Sequence, residues 1–346
     1  MTFANRNRGG SGVYARSLLA ALGERDDVVA WEIAGPARSG LAGTLRWLAA
    51  GAQATLRRRP PDLVHCPSFV TPWRLRQPFV VTVHDAGVWR FPEDHPLEWR
   101  VYDRALLTRR LRAAARVIAG SEFGRREVIE GYRLSADRVT TVHYGIDARF
   151  LEAGAADPAP GEADRMLFPG APAGHKNLAP VLRVMAAADP GSALGRAGLD
   201  ISGARAEDYP ALRSEIASLS LERRVRWLGH LDSEALPDLM RRAALVVYPS
   251  LYEGFGFPPL EAMAVGTPVV ASDRGPLPEL LGDAALLVDP TDPGRLAEAL
   301  EAVLAEPERR RRMGAEGRRR ALLFTWARCA EETVDVYRDV LGTGGA

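Results

Sequence analysis

Tyr248-Pro-Ser-Leu-Tyr-Glu-Gly-Phe-Gly-Phe-Pro-Pro-Leu-Glu261, running on through Ala-Met-Ala-Val-Gly-Thr-Pro-Val-Val-Ala271, reads as strand, loop, helix and strand. Leu245-Val-Val-Tyr248 is an apolar run suited to a buried parallel strand. Gly254 and Gly256 let the backbone turn tightly and approach a ligand. Pro258 and Pro259 fit a first helical turn, where a missing N–H costs nothing. Gly266 and Pro268 stop that helix, and Val269-Val-Ala271 opens the next strand. The helix start offers open amides and a partial positive charge, as an anion requires. Glu253 precedes the turn and Glu261 follows within the helix, so both carboxylates can face one crevice and accept hydrogen bonds from hydroxyls. A sugar with its diphosphate would satisfy both halves of this loop. The plain alternative is an ordinary turn with two solvated glutamates.

Outward from this stretch, short apolar strands alternate with amphipathic segments in both halves, the pattern of doubly wound α/β domains. Strands are expected at Val28–Ile33, Asp62–Cys66, Phe79–Val83 and Arg116–Ser121, then from Val139, and later at Met166–Gly170, Leu199–Gly203 and Val225–Gly229. Leu151 to Asp164, rich in Ala, Gly, Pro and acids without periodicity, reads as an interdomain linker. The second apolar strand ends in His84-Asp85, a polar pair where open α/β sheets bind ligands. Gly10-x-Gly12-x-x-Ala15 with Glu32 fits the dinucleotide fingerprint and keeps an NAD-dependent oxidoreductase in play, although polar Asn5 to Arg8 stand where its strand should be. The residues ahead of Gly9 are few for a parallel strand, so a further segment is expected upstream of Met1. Ser39 to Arg59 mixes apolar residues with arginines, and either a core-facing surface helix or a helix on an anionic membrane would read this way.

The length of 346 residues favours two domains. Basic and acidic residues nearly cancel, leaving +1, and nothing calls for a nucleic-acid partner. Cys66 and Cys329 lie far apart in apolar surroundings, as in a reduced protein. No apolar run reaches spanning length and no signal peptide opens the chain, so the expectation is cytoplasmic, with the inner face of the membrane as the further option. Lys176 is the single lysine; every other fixed side-chain cation is an arginine.

Glu253 to Glu261, followed by Ala271-Ser-Asp-Arg-Gly-Pro-Leu-Pro-Glu279 and Gly282-Asp-Ala-Ala-Leu-Leu-Val-Asp-Pro290, resembles the Glu-x7-Glu signature of retaining glycosyltransferases of family 4. Ser121-Glu-Phe and Val139 to Asp147 also resemble that family. The nearest likeness is to its bacterial surface-polysaccharide branch, which includes many mannosyltransferases. The resemblance implies a GT-B fold, two Rossmann-like doubly wound domains facing across a cleft. Residues 1–155 would bind the acceptor, 156–325 would bind the nucleotide-sugar, and 326–346 would form a helix crossing back to the first domain.

The same resemblance implies roles for particular residues. Lys176 stands in the family's lysine position and would neutralise the leaving diphosphate, while Ala171 replaces the usual arginine. Glu261 would hold the nucleotide ribose. Glu253, with the backbone of Gly254, Phe255, Gly256 and Phe257, would fix the sugar hydroxyls, and the amides through Leu260 would face phosphate. His84 would touch the transferred sugar, Gly9 and Gly10 would close over the donor's phosphate, and His230-Leu231 would grip the base. Transfer would retain configuration without a metal or other cofactor, the nucleoside-diphosphate sugar being a co-substrate. GDP-mannose is the first expectation, with a glycan, a lipid-linked glycan or a small molecule as acceptor. A subunit that kept the fold but lost turnover is the remaining alternative, for which Ala171 is the hint.

Overall fold

The computed structural model describes residues 10–33, 47–68, 70–92, 96–155 and 162–343. These divide into two compact units, Met1–Gly145 with Phe324–Ala346, and Ile146–Leu323.

The first unit begins with α1 (Gly10–Gly23), whose Tyr14, Leu18 and Leu22 are buried. Its described strands β1 (Val64–Cys66), β2 (Phe79–Val83), β3 (Arg116–Ala119) and β4 (Val139–Thr141) form a parallel sheet in that order. Every residue of β2 is buried, as a parallel strand covered on both faces requires. Between β3 and β4 lies α2 (Glu122–Tyr132), capped by Ser121, whose hydroxyl accepts the Gly124 amide at 2.9 Å. The C-terminal helix Trp326–Leu341 lies against α1. A polar chain ties these elements together. His65 of β1 sits 2.6 Å from the Tyr337 hydroxyl and 2.8 Å from the Thr82 hydroxyl, which in turn lies 2.9 Å from that of Tyr14.

The second unit opens with α3 (Ala148–Ala155) and β5 (Glu162–Phe168), then α4 (Ala179–Ala187), β6 (Gly198–Ser202), β7 (Val225–Gly229) and β8 (Ala243–Tyr248). There follow α5 (Phe257–Ala264), β9 (Val269–Ser272), β10 (Leu286–Val288), α6 (Pro293–Ala305) and α7 (Pro307–Ala321). Its sheet is parallel, in the order β10-β9-β8-β5-β6-β7. From β5 the chain winds one way through β6 and β7, then returns to lay β8 on the other side of β5. The reversal between β5 and β8 is a topological switch point, where open α/β sheets leave a crevice beyond their strand ends. Met166, Phe168, Leu245 and Val247 of the two central strands join Val181, Leu182, Leu300 and Val303 in the core.

Three expectations are corrected. Residues 28–33 form no strand, so Glu32 does not end one. Gly10 and Gly12 lie inside α1, with Gly12 buried, rather than in the open turn that a dinucleotide pyrophosphate needs. The expected linker begins as helix, because Phe150 of α3 is 1% exposed and Gly154 brings its backbone against α5. A Cβ at Gly154 would run into the carbonyl oxygen of Ala264. In the Ser39 to Arg59 segment, residues 39–46 lie outside the described residues. Its described part buries Ala52 and Leu56 and sets the Arg59 guanidinium 4.9 Å over the Trp31 ring, which favours the core-facing reading there. Among the described residues no helix is long and apolar enough to cross a membrane.

Candidate active site

Two loops leave the switch point side by side. The loop after β5 turns at Gly170 (φ 95°) and tightens into a 3-10 turn at Gly174–Lys176. It enters α4 through Asn177 (φ 54°), whose side-chain amide donates to the Pro290 carbonyl at 2.9 Å. The loop after β8 runs from Pro249 to Gly256. The Leu251 amide donates to the His175 carbonyl at 2.7 Å and ties one loop to the other.

This pairing of loops brings together residues more than seventy positions apart. The Lys176 ammonium lies 2.6 Å from Glu253 Oε1 and 2.6 Å from the Tyr248 hydroxyl. Its nitrogen stands 4.8 Å from the centroid of the Tyr248 ring, out beyond the hydroxyl. The ion pair is largely enclosed, with the lysine side chain 19% and the glutamate 11% exposed. Tyr248, the last residue of β8, is fully buried, and burial with the neighbouring Glu253 carboxylate pushes its phenol well up. Tyr248 was read from sequence only as the end of a strand. The available signal was a hydroxyl closing an otherwise aliphatic run.

Beyond Glu253, Gly256 adopts φ 116°, a conformation that favours glycine, and a Cβ there would make the Leu277 side chain shift. The turn delivers Pro258 and Pro259 into the first turn of α5, which no side chain caps. Glu261 lies on the next turn. Burial pushes its carboxyl up to about 7, opposed by the Arg149 guanidinium and reinforced by Asp147. Arg149 itself pairs with Asp147 at 3.1 Å. Both fall just ahead of the segment read as linker, and this partnership was missed. Phe255 is buried, its ring centroid 5.0 Å from that of Phe257, and Leu260 is wholly buried, so its side chain belongs to the core.

The base-gripping candidates follow β7, at the same end of the sheet. Gly229 accepts the Gly203 amide at 2.8 Å, and Gly203 in turn lies close against Gly170. His230 is exposed and Leu231 half-buried just beyond. Ala171, in place of the family's arginine, is exposed.

His84 belongs to the first unit. Its Nδ1 accepts from the Tyr144 hydroxyl at 2.9 Å, and its Nε2 donates to the Pro67 carbonyl at 3.0 Å. Burial pushes its pKa down, so the ring is neutral at pH 7. Gly9 lies outside the described residues, and Gly10 opens α1. Among the described residues no three His, Cys, Asp or Glu side chains cluster as metal ligands would.

Comparison with known proteins agrees with this architecture. Residues 8–150 match the profile described as Glycosyltransferase Family 4, and residues 155–320 that described as Glycosyl transferases group 1. O-antigen chain mannosyltransferase B of Escherichia coli is 31% identical over 290 residues, covering 82% of this chain and 76% of that protein. Sucrose-phosphate synthase (tll1590) from Thermosynechococcus elongatus has the same fold, with a TM-score of 0.78 at 23% identity over 96% of this chain and 94% of that one. Anabaena Alr3699/HepE, solved in complex with UDP and glucose, gives 0.74 at 19% identity over 96% and 97%. The chain therefore belongs to the family 4 glycosyltransferases, enzymes that transfer glycosyl groups, and has their two-domain GT-B fold.

Proposed function

We propose that the enzyme transfers mannose from GDP-mannose to a hydroxyl of a glycan or lipid-linked acceptor, retaining the anomeric configuration. The observation that carries the chemistry is the Lys176–Glu253 pair at 2.6 Å, at the switch point and beside the uncapped start of α5. The choice of sugar is supported by the similarity to O-antigen chain mannosyltransferase B.

As the bond from the anomeric carbon to the diphosphate oxygen breaks, positive charge grows on the sugar ring and negative charge on the leaving group. Lys176 and the Phe257 amide at the uncapped start of α5, where Pro258 and Pro259 carry no N–H, meet that negative charge, where fixed donors lower a barrier most. Glu253, with the backbone from Gly254 to Phe257, holds the sugar hydroxyls. Glu261 accepts from the ribose, and His230-Leu231 borders the base. The departing phosphate oxygen takes the acceptor's proton as the new bond forms on the same face, so no protein nucleophile is required. Transfer proceeds without a metal, and a lipid-linked acceptor would bring the enzyme to the inner face of the membrane.

A screen of GDP-, UDP- and dTDP-hexoses against saccharide and lipid-linked acceptors, with mass-spectrometric product identification, tests this reading. Mannosyl transfer from GDP-mannose, insensitive to excess chelator and lost in Lys176→Ala and Glu253→Ala, is the expected result. Turnover of a UDP- or dTDP-hexose alone would reassign the donor. Loss in chelator with rescue by magnesium or manganese would reassign the charge stabilisation to a metal.

A further inference from the structure

We infer that Tyr248 is a positioning residue of the transfer reaction, holding the Lys176 ammonium in place through its hydroxyl. The inference rests on the proposed role of Lys176 toward the leaving diphosphate. An ammonium has three protons to donate. In the enzyme one is given to Glu253 Oε1 and one to the Tyr248 hydroxyl, each at 2.6 Å, which leaves the third for an incoming phosphate oxygen. A carboxylate alone would fix Lys176 at one point and leave it free to rotate about that contact. The hydroxyl supplies the second point. Tyr248 can do this because β8 ends at it and the residue is fully buried, so its own position is set by the central sheet rather than by the loop. Catalytic groups act at full strength only when such supporting contacts lock their geometry.

Because Lys176 is the only lysine, enzyme labelled with 13Cε-lysine carries one reporter side chain. In the wild type its two Hε protons are expected to be inequivalent, as in a side chain held still, and to shift on addition of GDP. In Tyr248→Phe they are expected to merge. Degenerate Hε protons in the wild type overturn the inference, even if the variant fails to fold. So does an unchanged spectrum in a folded variant.

With the donor found by the screen, Tyr248→Phe is expected to lower kcat by about 10- to 100-fold, with donor KM within about 3-fold. In a Lys176→Ala background the same change should cost nothing more, since contacting residues that act as a unit are not additive. Equal losses in both backgrounds would mean a merely structural tyrosine and refute the inference. If the wild type transfers no hexose from any donor, the functional reading fails, while the labelled lysine still decides whether Tyr248 immobilises it.

Discussion

Glu253 and Glu261 are the same side chain in two different electrostatic situations. Glu253 shares an ammonium, whereas Glu261 is half-buried, with desolvation pushing its carboxyl up to about 7. A ribose hydroxyl donates best to an ionised carboxylate, and Glu261 gains its proton as the pH falls through about 7. Donor KM is therefore expected to rise between pH 8 and pH 6. In Glu261→Gln it should be higher throughout and flat across that range, which initial-rate measurements at several pH values would reveal. Lys176→Ala removes the fixed cation and should reduce kcat by about 100- to 1000-fold without unfolding the protein. These residues were legible in the sequence because their signals are local: a glutamate spacing, a glycine turn, a lysine alone among arginines. Tyr248 and Arg149 were not, because each acts on a side chain far away in sequence and nothing beside it marks the partner.

At the scale of the element, α5 is held from both ends of its surroundings. Gly256 starts it at a φ open to glycine, and Gly154 of α3 presses backbone to backbone against Ala264 near its end. Gly154→Val is expected to destabilise the protein by about 1–3 kcal/mol, since inserted bulk forces the two helices apart. Urea unfolding should show the lower midpoint, and displacement of α5 should raise donor KM in the same variant. The helical character of α3 was not legible. Alanine and glycine without periodicity look like a linker, and only the close approach to α5 explains the helix. The opposite error occurred at Val28–Ile33, where a strand-like composition lacks a ladder partner among the described strands.

For the whole molecule, the succession of apolar strands and helices announced two α/β units, and the loop after β8 announced where the ligand belongs. The order of strands could not be read, because it depends on which neighbour each strand finds after the chain turns back. The first unit carries its own pH sensitivity. Burial pushes His65 down to about 3, with Tyr337 and Thr82 occupying its nitrogens. The unfolded chain takes up that proton near pH 6.5, the folded one only near 3. The stability that His65 contributes is therefore complete above about pH 6.5 and is lost as the pH falls through that window. Urea midpoints at pH 7 and pH 5 should differ for the wild type and differ less for His65→Gln. Tyr337, which meets His65, belongs to the segment that returns to the first unit after Leu323. During translation the Ile146–Leu323 unit is thus synthesised before its predecessor has the helix that completes its core. Premature termination after Leu323 would leave the second lobe with all of its residues and the first without the helix that carries Tyr337, exposing the earlier lobe to proteases while sparing the later.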